Sequence, residues 1–114
     1  MSAGNSIKAM PVITVDTSTL NDATYTEVTS GGLPFPIDIL RFTSSNARNV
    51  LLSFDGVTNH DVIVGLSGNY TITPQLFASP SGYKASFSKG TKIFLKLTSA
   101  PGVGDINIIG YYQR

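Results

Sequence analysis

The sequence predicts an all-β fold, an antiparallel, jelly-roll-like β-sandwich of about eight strands, and three observations carry that reading. Val, Ile, Thr, Phe and Tyr are prominent among the 114 residues, of which 41% are hydrophobic, while Glu occurs once, the reverse of a helix-forming surface. Gly, Pro, Asn and Ser punctuate the chain roughly every ten residues, the turn spacing of a sandwich or barrel. No apolar period of 3.6 residues persists for three turns.

Strands are expected near residues 7–15, 23–29, 36–44, 49–55, 61–65, 69–73, 84–97 and 105–113, the seventh broken at Lys89-Gly90. Each is a short run of β-branched and aromatic residues closed by turn formers. Residues 1–6 are expected to be a flexible N-terminal arm and residues 7–114 a single sandwich domain, since ~100 to 200 residues is the usual size of one core. Pro34-Phe35-Pro36 after Gly31-Gly32 is expected to cross from one sheet to the other, because each proline removes a ladder donor and restricts the residue before it. The stretch 74–83 is the longest expected loop, and long ordered loops often carry binding surfaces.

Alternation along a strand assigns faces. Ile93, Leu95 and Leu97 point one way and Lys92 and Lys96 the other. Val50, Leu52 and Phe54 share a face opposite Leu51, Ser53 and Asp55. Ile106, Ile108 and Tyr112 share one opposite Asn107, Ile109 and Tyr111. These triplets are the expected core. Phe94, Leu51, Ile109 and Tyr111 fall on outer faces, and with Ile7 and Met10 near the arm they mark an expected subunit interface at Ile7, Met10, Phe94, Ile109 and Tyr111.

Only 13% of residues are charged against an average near ~25%, so Ser, Thr, Asn and Gly must cover much of the surface. Residues 1–83 hold three basic and six acidic groups, residues 84–114 five basic and one acidic. Lys84, Lys89, Lys92 and Lys96 read as a solvated strand face, and nucleic acid is not expected as a partner. With no Cys, neither disulfides nor thiolate metal sites arise. The first six residues lack the pattern of a secretory signal and no apolar run approaches ~18 residues, so no membrane partner is expected. Asn69-Tyr70-Thr71 fits the glycosylation acceptor pattern and reads as a strand start that matches by chance.

Ser53, Asp55, His60 and Asp61 supply the residue types of a Ser-His-Asp triad around the chain's single histidine. A triad needs a nucleophile bonded to an imidazole that a carboxylate orients from its far side, and a Ser two residues before Asp on one strand face does not provide that. Asp55-Gly56 and Asn59 are turn formers, so the segment is expected to be a turn with no catalytic role. Asp55, Asn59 and Asp61 offer oxygen atoms for calcium at a spacing unlike an EF-hand, and no metal or cofactor is expected. Gly102-Val103-Gly104 lacks the following helix of a phosphate cradle and reads as a loop. The other carboxylates lie too far apart in sequence to nominate a glycosidase pair.

Ile39-Leu40-Arg41-Phe42-Thr43-Ser44-Ser45-Asn46, then Val50-Leu51-Leu52-Ser53-Phe54-Asp55-Gly56, Asn59-His60-Asp61, the strand Lys89-Gly90-Thr91-Lys92-Ile93-Phe94-Leu95-Lys96 and the closing Ile106-Asn107-Ile108-Ile109-Gly110-Tyr111-Tyr112 resemble a group of small virion proteins of tailed bacteriophages. The likeness spans about two thirds of the chain, residues 37–112, and leaves residues 1–36 unmatched. It implies a non-enzymatic sandwich, made in the host cytoplasm and resident in the virion, that decorates the capsid or sits at a head–tail junction. The implied partners are the major capsid protein or other virion proteins and sister copies in a homo-oligomer, a trimer among the forms allowed. The alternative is a carbohydrate- or receptor-binding module of a tail or fibre that presents Asn59, His60, Gln75 and Tyr83 from its loops.

Overall fold

The structure is a computed structural model and describes residues 7–65, 70–72 and 87–113. Nine strands are present among them: β1 (Ile7–Ala9), β2 (Ile13–Asp16), β3 (Thr26–Glu27), β4 (Ile39–Ser44), β5 (Val50–Ser53), β6 (Asp61–Ile63), β7 (Tyr70–Ile72), β8 (Phe94–Leu97) and β9 (Asp105–Gln113). One antiparallel sheet, sheet A, runs β1–β9–β4–β7 with β2 also on β9, and the other, sheet B, runs β3–β8–β5–β6.

β1 and β2 are two halves of one edge, since both pair with β9. With the halves counted together, the first strand pairs with the last, the second with the second last, and so on inward to β5 and β6. That is a long hairpin wound over itself into two sheets, the jelly roll expected from the sequence.

The expected single strand over 7–15 breaks because Pro11 cannot donate to a ladder. Ala9 faces Tyr111 and Ile13 faces Ile108, so three residues (10–12) stand opposite two (109–110). The extra residue is a β-bulge, and it reverses the side-chain alternation. Met10 and Ile13, three apart, therefore both point into the core. Met10 fills the space above Gly110, where a Cβ would lie 2.9 Å from its sulfur. It is 3% exposed and belongs to the core rather than to the surface contact expected for it.

The core lies between the sheets. Leu40, Phe42, Ile106 and Ile108 meet Val50, Leu52, Ile63, Ile93, Leu95 and Leu97, all fully buried. The alternation-derived triplets belong to this layer, with Phe54 and Tyr112 packed at its margin. Each such aliphatic side chain contributes ~1.5–3 kcal/mol by leaving water.

The chain changes sheets at residues 33–38. Leu33 donates to the Thr91 carbonyl and accepts from the Gly90 N–H, and Ile37 makes a two-way bridge with Phe87. One residue later the Asp38 N–H donates to Tyr111 in the opposite sheet. The proline-rich segment therefore carries the chain between layers, as its composition predicts. Gly32 lies against the turn that interrupts the predicted 84–97 strand: a Cβ there would sit 2.3 Å from the Gly90 carbonyl oxygen, and its φ is +110°. The described part of that strand is Phe87 and β8, and residues 73–86, with Gln75 and Tyr83 in the expected loop, lie outside the described residues, as do residues 1–6.

At one end of the sandwich a buried polar knot joins three loops. The Asn46 side chain accepts from the Thr17 hydroxyl at 3.0 Å and from the Val103 N–H at 3.0 Å, and donates to the Arg48 carbonyl at 2.7 Å. Thr17 also bonds the Gly104 carbonyl through its N–H. The Gly102-Val103-Gly104 segment is thus a packing loop, with Gly102 pressed onto the Thr17 backbone.

Two adjacent glycines give a discriminating test. Gly31 has φ +99° but open space around its missing Cβ, so Gly31→Ala should cost about 1–2 kcal/mol from backbone strain alone. Gly32→Ala adds a backbone collision and should cost about 3 kcal/mol or more. Urea denaturation of the two variants measures the difference, and equal losses would mean that the Gly32–Gly90 contact does not constrain the fold.

Candidate functional site

The β5–β6 connection, residues 54–60, folds over the outer face of sheet B. Gly56, with φ +80°, lies on the ring of Phe94, its Cβ position 3.2 Å from the ring edge. Phe94 is therefore half-buried beneath its own chain, which removes it from the set of open contact residues expected from alternation. Ser53, its cross-strand neighbour, is fully buried even though it faces outward.

Ser53 and Asp55 cap the turn between them. The Ser53 hydroxyl donates to Asp55 Oδ1 at 2.8 Å and accepts from the Gly56 N–H at 2.9 Å. Asp55 Oδ1 also accepts from the N–H groups of Val57 (2.8 Å) and Thr58 (2.7 Å). Those bonds, from Thr58, then Val57, then Ser53, hold the Asp55 carboxyl far below the usual carboxylate range. The His60 N–H donates to the Leu52 carbonyl, and its Nδ1 accepts from the Phe54 N–H at 3.0 Å. The neutral ring therefore carries its hydrogen on Nε2, which lies 3.9 Å from Asp55 Oδ2.

This geometry does not make a triad. The serine hydroxyl gives its hydrogen to the carboxylate directly, and the histidine nitrogen that would serve as base holds a backbone amide instead. Asp55, Asn59 and Asp61, whose oxygens the sequence offers for calcium, also bond within the chain. Asn59 Oδ1 accepts from the Tyr25 hydroxyl, and Asp61 Oδ1 from the Val62 N–H at 2.8 Å. Among the described residues no three His, Cys, Asp or Glu side chains are gathered as metal ligands would be.

Tyr25 fastens the turn from beside β3, the edge strand of sheet B. Lys96 sits 4.8 Å above its ring, a cation–π contact, and partial burial and then the Asp55 charge push its hydroxyl pKa upward. Asn59 and His60, expected as outward loop contacts, both hold partners within the chain. The Tyr25–Asn59 bond joins residues 34 apart, and nothing local in the sequence signals it.

The outer face of sheet A differs. Ala9, Tyr111 and Ile39 form one cross-strand row, and Ile109 and Arg41 the next. Ile7 continues the face from β1 and is 69% exposed, whereas Ile109 is only 9% exposed. Three of the expected contact residues, Ile7, Ile109 and Tyr111, thus share one face, joined by Ile39, which alternation around Leu40 and Phe42 would have placed there, but Ile109 is covered by its own chain and is not the open contact expected of it. Beside them Thr14 donates to Asn107 at 2.8 Å, and Asn107 to Thr43 at 3.2 Å, a polar ladder across three strands.

Comparison of the chain with protein-family models, with curated proteins and with solved structures returned no match. The residues themselves therefore carry the functional reading.

The turn makes an electrostatic prediction. Because the folded Asp55 pKa is depressed, its contribution to stability is complete above the unfolded value of about 4 and disappears as pH falls through the folded value. Asp16 and Glu27, lowered mainly by the Ser18 side chain and the Gly31 N–H respectively, act in the same direction. Asp55→Asn should flatten the acid limb of melting temperature against pH below about pH 4. An unchanged limb would remove Asp55 from the acid response.

Proposed function

We propose that this protein is a non-enzymatic structural component of a tailed-bacteriophage virion, most simply a decoration protein that binds the capsid surface and stabilises the particle. The observation that carries the reading is the outer face of sheet A, where Ile7, Ala9, Ile39 and Tyr111 lie around the buried Ile109 next to a polar ladder. Jelly rolls serve in viral capsids and in lectins, so the fold admits the role without singling it out. The likeness of residues 37–112 to small virion proteins and the charge-poor surface favour the capsid side.

Attachment in this reading is many weak contacts in parallel. An interface near ~1,600 Å² holds one copy specifically, and repetition over a lattice multiplies its effect. Sister copies in a homo-oligomer would bind the shell through several such faces at once. No helix among the described residues is long and apolar enough to cross a membrane. The glycan-binding alternative uses loops 56–61 and 74–83. Asn59 and His60 are already engaged, so it has less support from this geometry.

Purified protein mixed with capsids of its source phage should bind saturably at a fixed copy number per capsomer. Tyr111→Arg should weaken that binding by ~10- to 100-fold, the scale of a central contact residue, while leaving the melting temperature close to its original value. A well-folded protein that ignores capsids would overturn the proposal, and retention on a glycan column would then favour the alternative.

A further inference from the structure

We propose that His60 is an acid-released latch that holds the 54–60 turn over Phe94. The inference does not depend on what the outer face of sheet A binds.

The latch is one hydrogen bond with a strict protonation requirement. Phe54 N–H donates to His60 Nδ1 at 3.0 Å, so Nδ1 must be bare. An imidazolium carries hydrogen on both ring nitrogens, and protonation turns this acceptor into a donor pointing at a donor. The Phe54 amide then loses its partner at the point where β5 enters the turn.

The surrounding charges set the balance. From within the turn, Asp55 Oδ2 lies 3.9 Å from Nε2 and attracts an imidazolium, which opposes release. At that distance, with both side chains substantially exposed, the attraction is weak. From β6, Asp61 follows His60 directly, its Oδ1 on the Val62 N–H. Next to β3, Tyr25 reaches the turn through Asn59, and from β8 Lys96 covers the Tyr25 ring. Glu27 is engaged by Gly31 and Thr29 and interacts with Lys92. The rings beside His60 are apolar: Phe54 at 5.8 Å, itself stacked on Phe87.

What the latch covers gives it a consequence. Gly56 rests on the Phe94 ring and the turn shields Ser53, so a loosened turn uncovers an aromatic side chain in the middle of sheet B's outer face. Acidification thereby lets the turn lift from Phe94 more often, while the Asp55 cap and the Tyr25–Asn59 bond still hold its tip.

Hydrogen exchange followed by NMR on the full chain tests this, from about pH 8 to about pH 5, the range in which histidine side chains change charge. The protection factor of the Phe54 amide should fall about tenfold, the loss of one ordinary hydrogen bond, in step with the His60 ring signals. The nuclear Overhauser contact between Gly56 and the Phe94 ring should weaken together with it. The Val28 amide, which donates to Ile93 in the same sheet, should not change. His60→Gln should abolish the step. A step that survives in His60→Gln, or that fails to follow the His60 ring signals in the unaltered protein, would overturn the latch.

Discussion

Strand β9 is the constraint on which the rest of the molecule depends. It pairs with β1 and β2 on one side and with β4 on the other, and its inward side chains, Ile106, Ile108 and Tyr112, form much of one wall of the core. A strand in that position must be matched in register on both flanks, because a slip of one residue would turn its apolar set outward. The bulge at residues 10–12 reconciles the two demands, letting Met10 and Ile13 both face inward while Gly110 leaves room for the methionine sulfur.

Most of the fold was legible because strand alternation and turn chemistry are local. Ile93, Leu95, Leu97, Val50, Leu52, Ile106 and Ile108 were assigned to the core by counting residues, and the proline pair marked where the chain changes layers. What escaped was set by distant partners. Met10 looked like a surface anchor because nothing in its neighbourhood signals a bulge. Asn46, in a run of turn formers, is a buried organiser whose partners Thr17 and Val103 lie 29 and 57 residues away. Phe94, between two lysines, reads as exposed until the 54–60 turn is laid over it.

The candidate site shows the same division. Its residue types and its turn were readable, and the serine-to-aspartate cap follows from their spacing of two. The direction of His60 was not, because Nδ1 finds its donor across the neck of the turn. The gathering of Ile7, Ile39, Ile109 and Tyr111 on one face likewise needed the cross-strand register of three strands. Alternation says which side a residue is on, and only pairing says beside whom.

The place of β9 also bears on the order in which the protein can assemble at the ribosome. β4 is made about seventy residues before the strand that will sit beside it, with Arg41 and Ile109 ending as neighbours. Sheet A therefore cannot close before β9 has been made. The β5–β6 hairpin, with partners only about ten residues apart, has no such wait. Folding of the whole domain is dominated by contacts distant in sequence, which places it among the slower folders for its size and leaves one flank of β4 unpaired until β9 has been made.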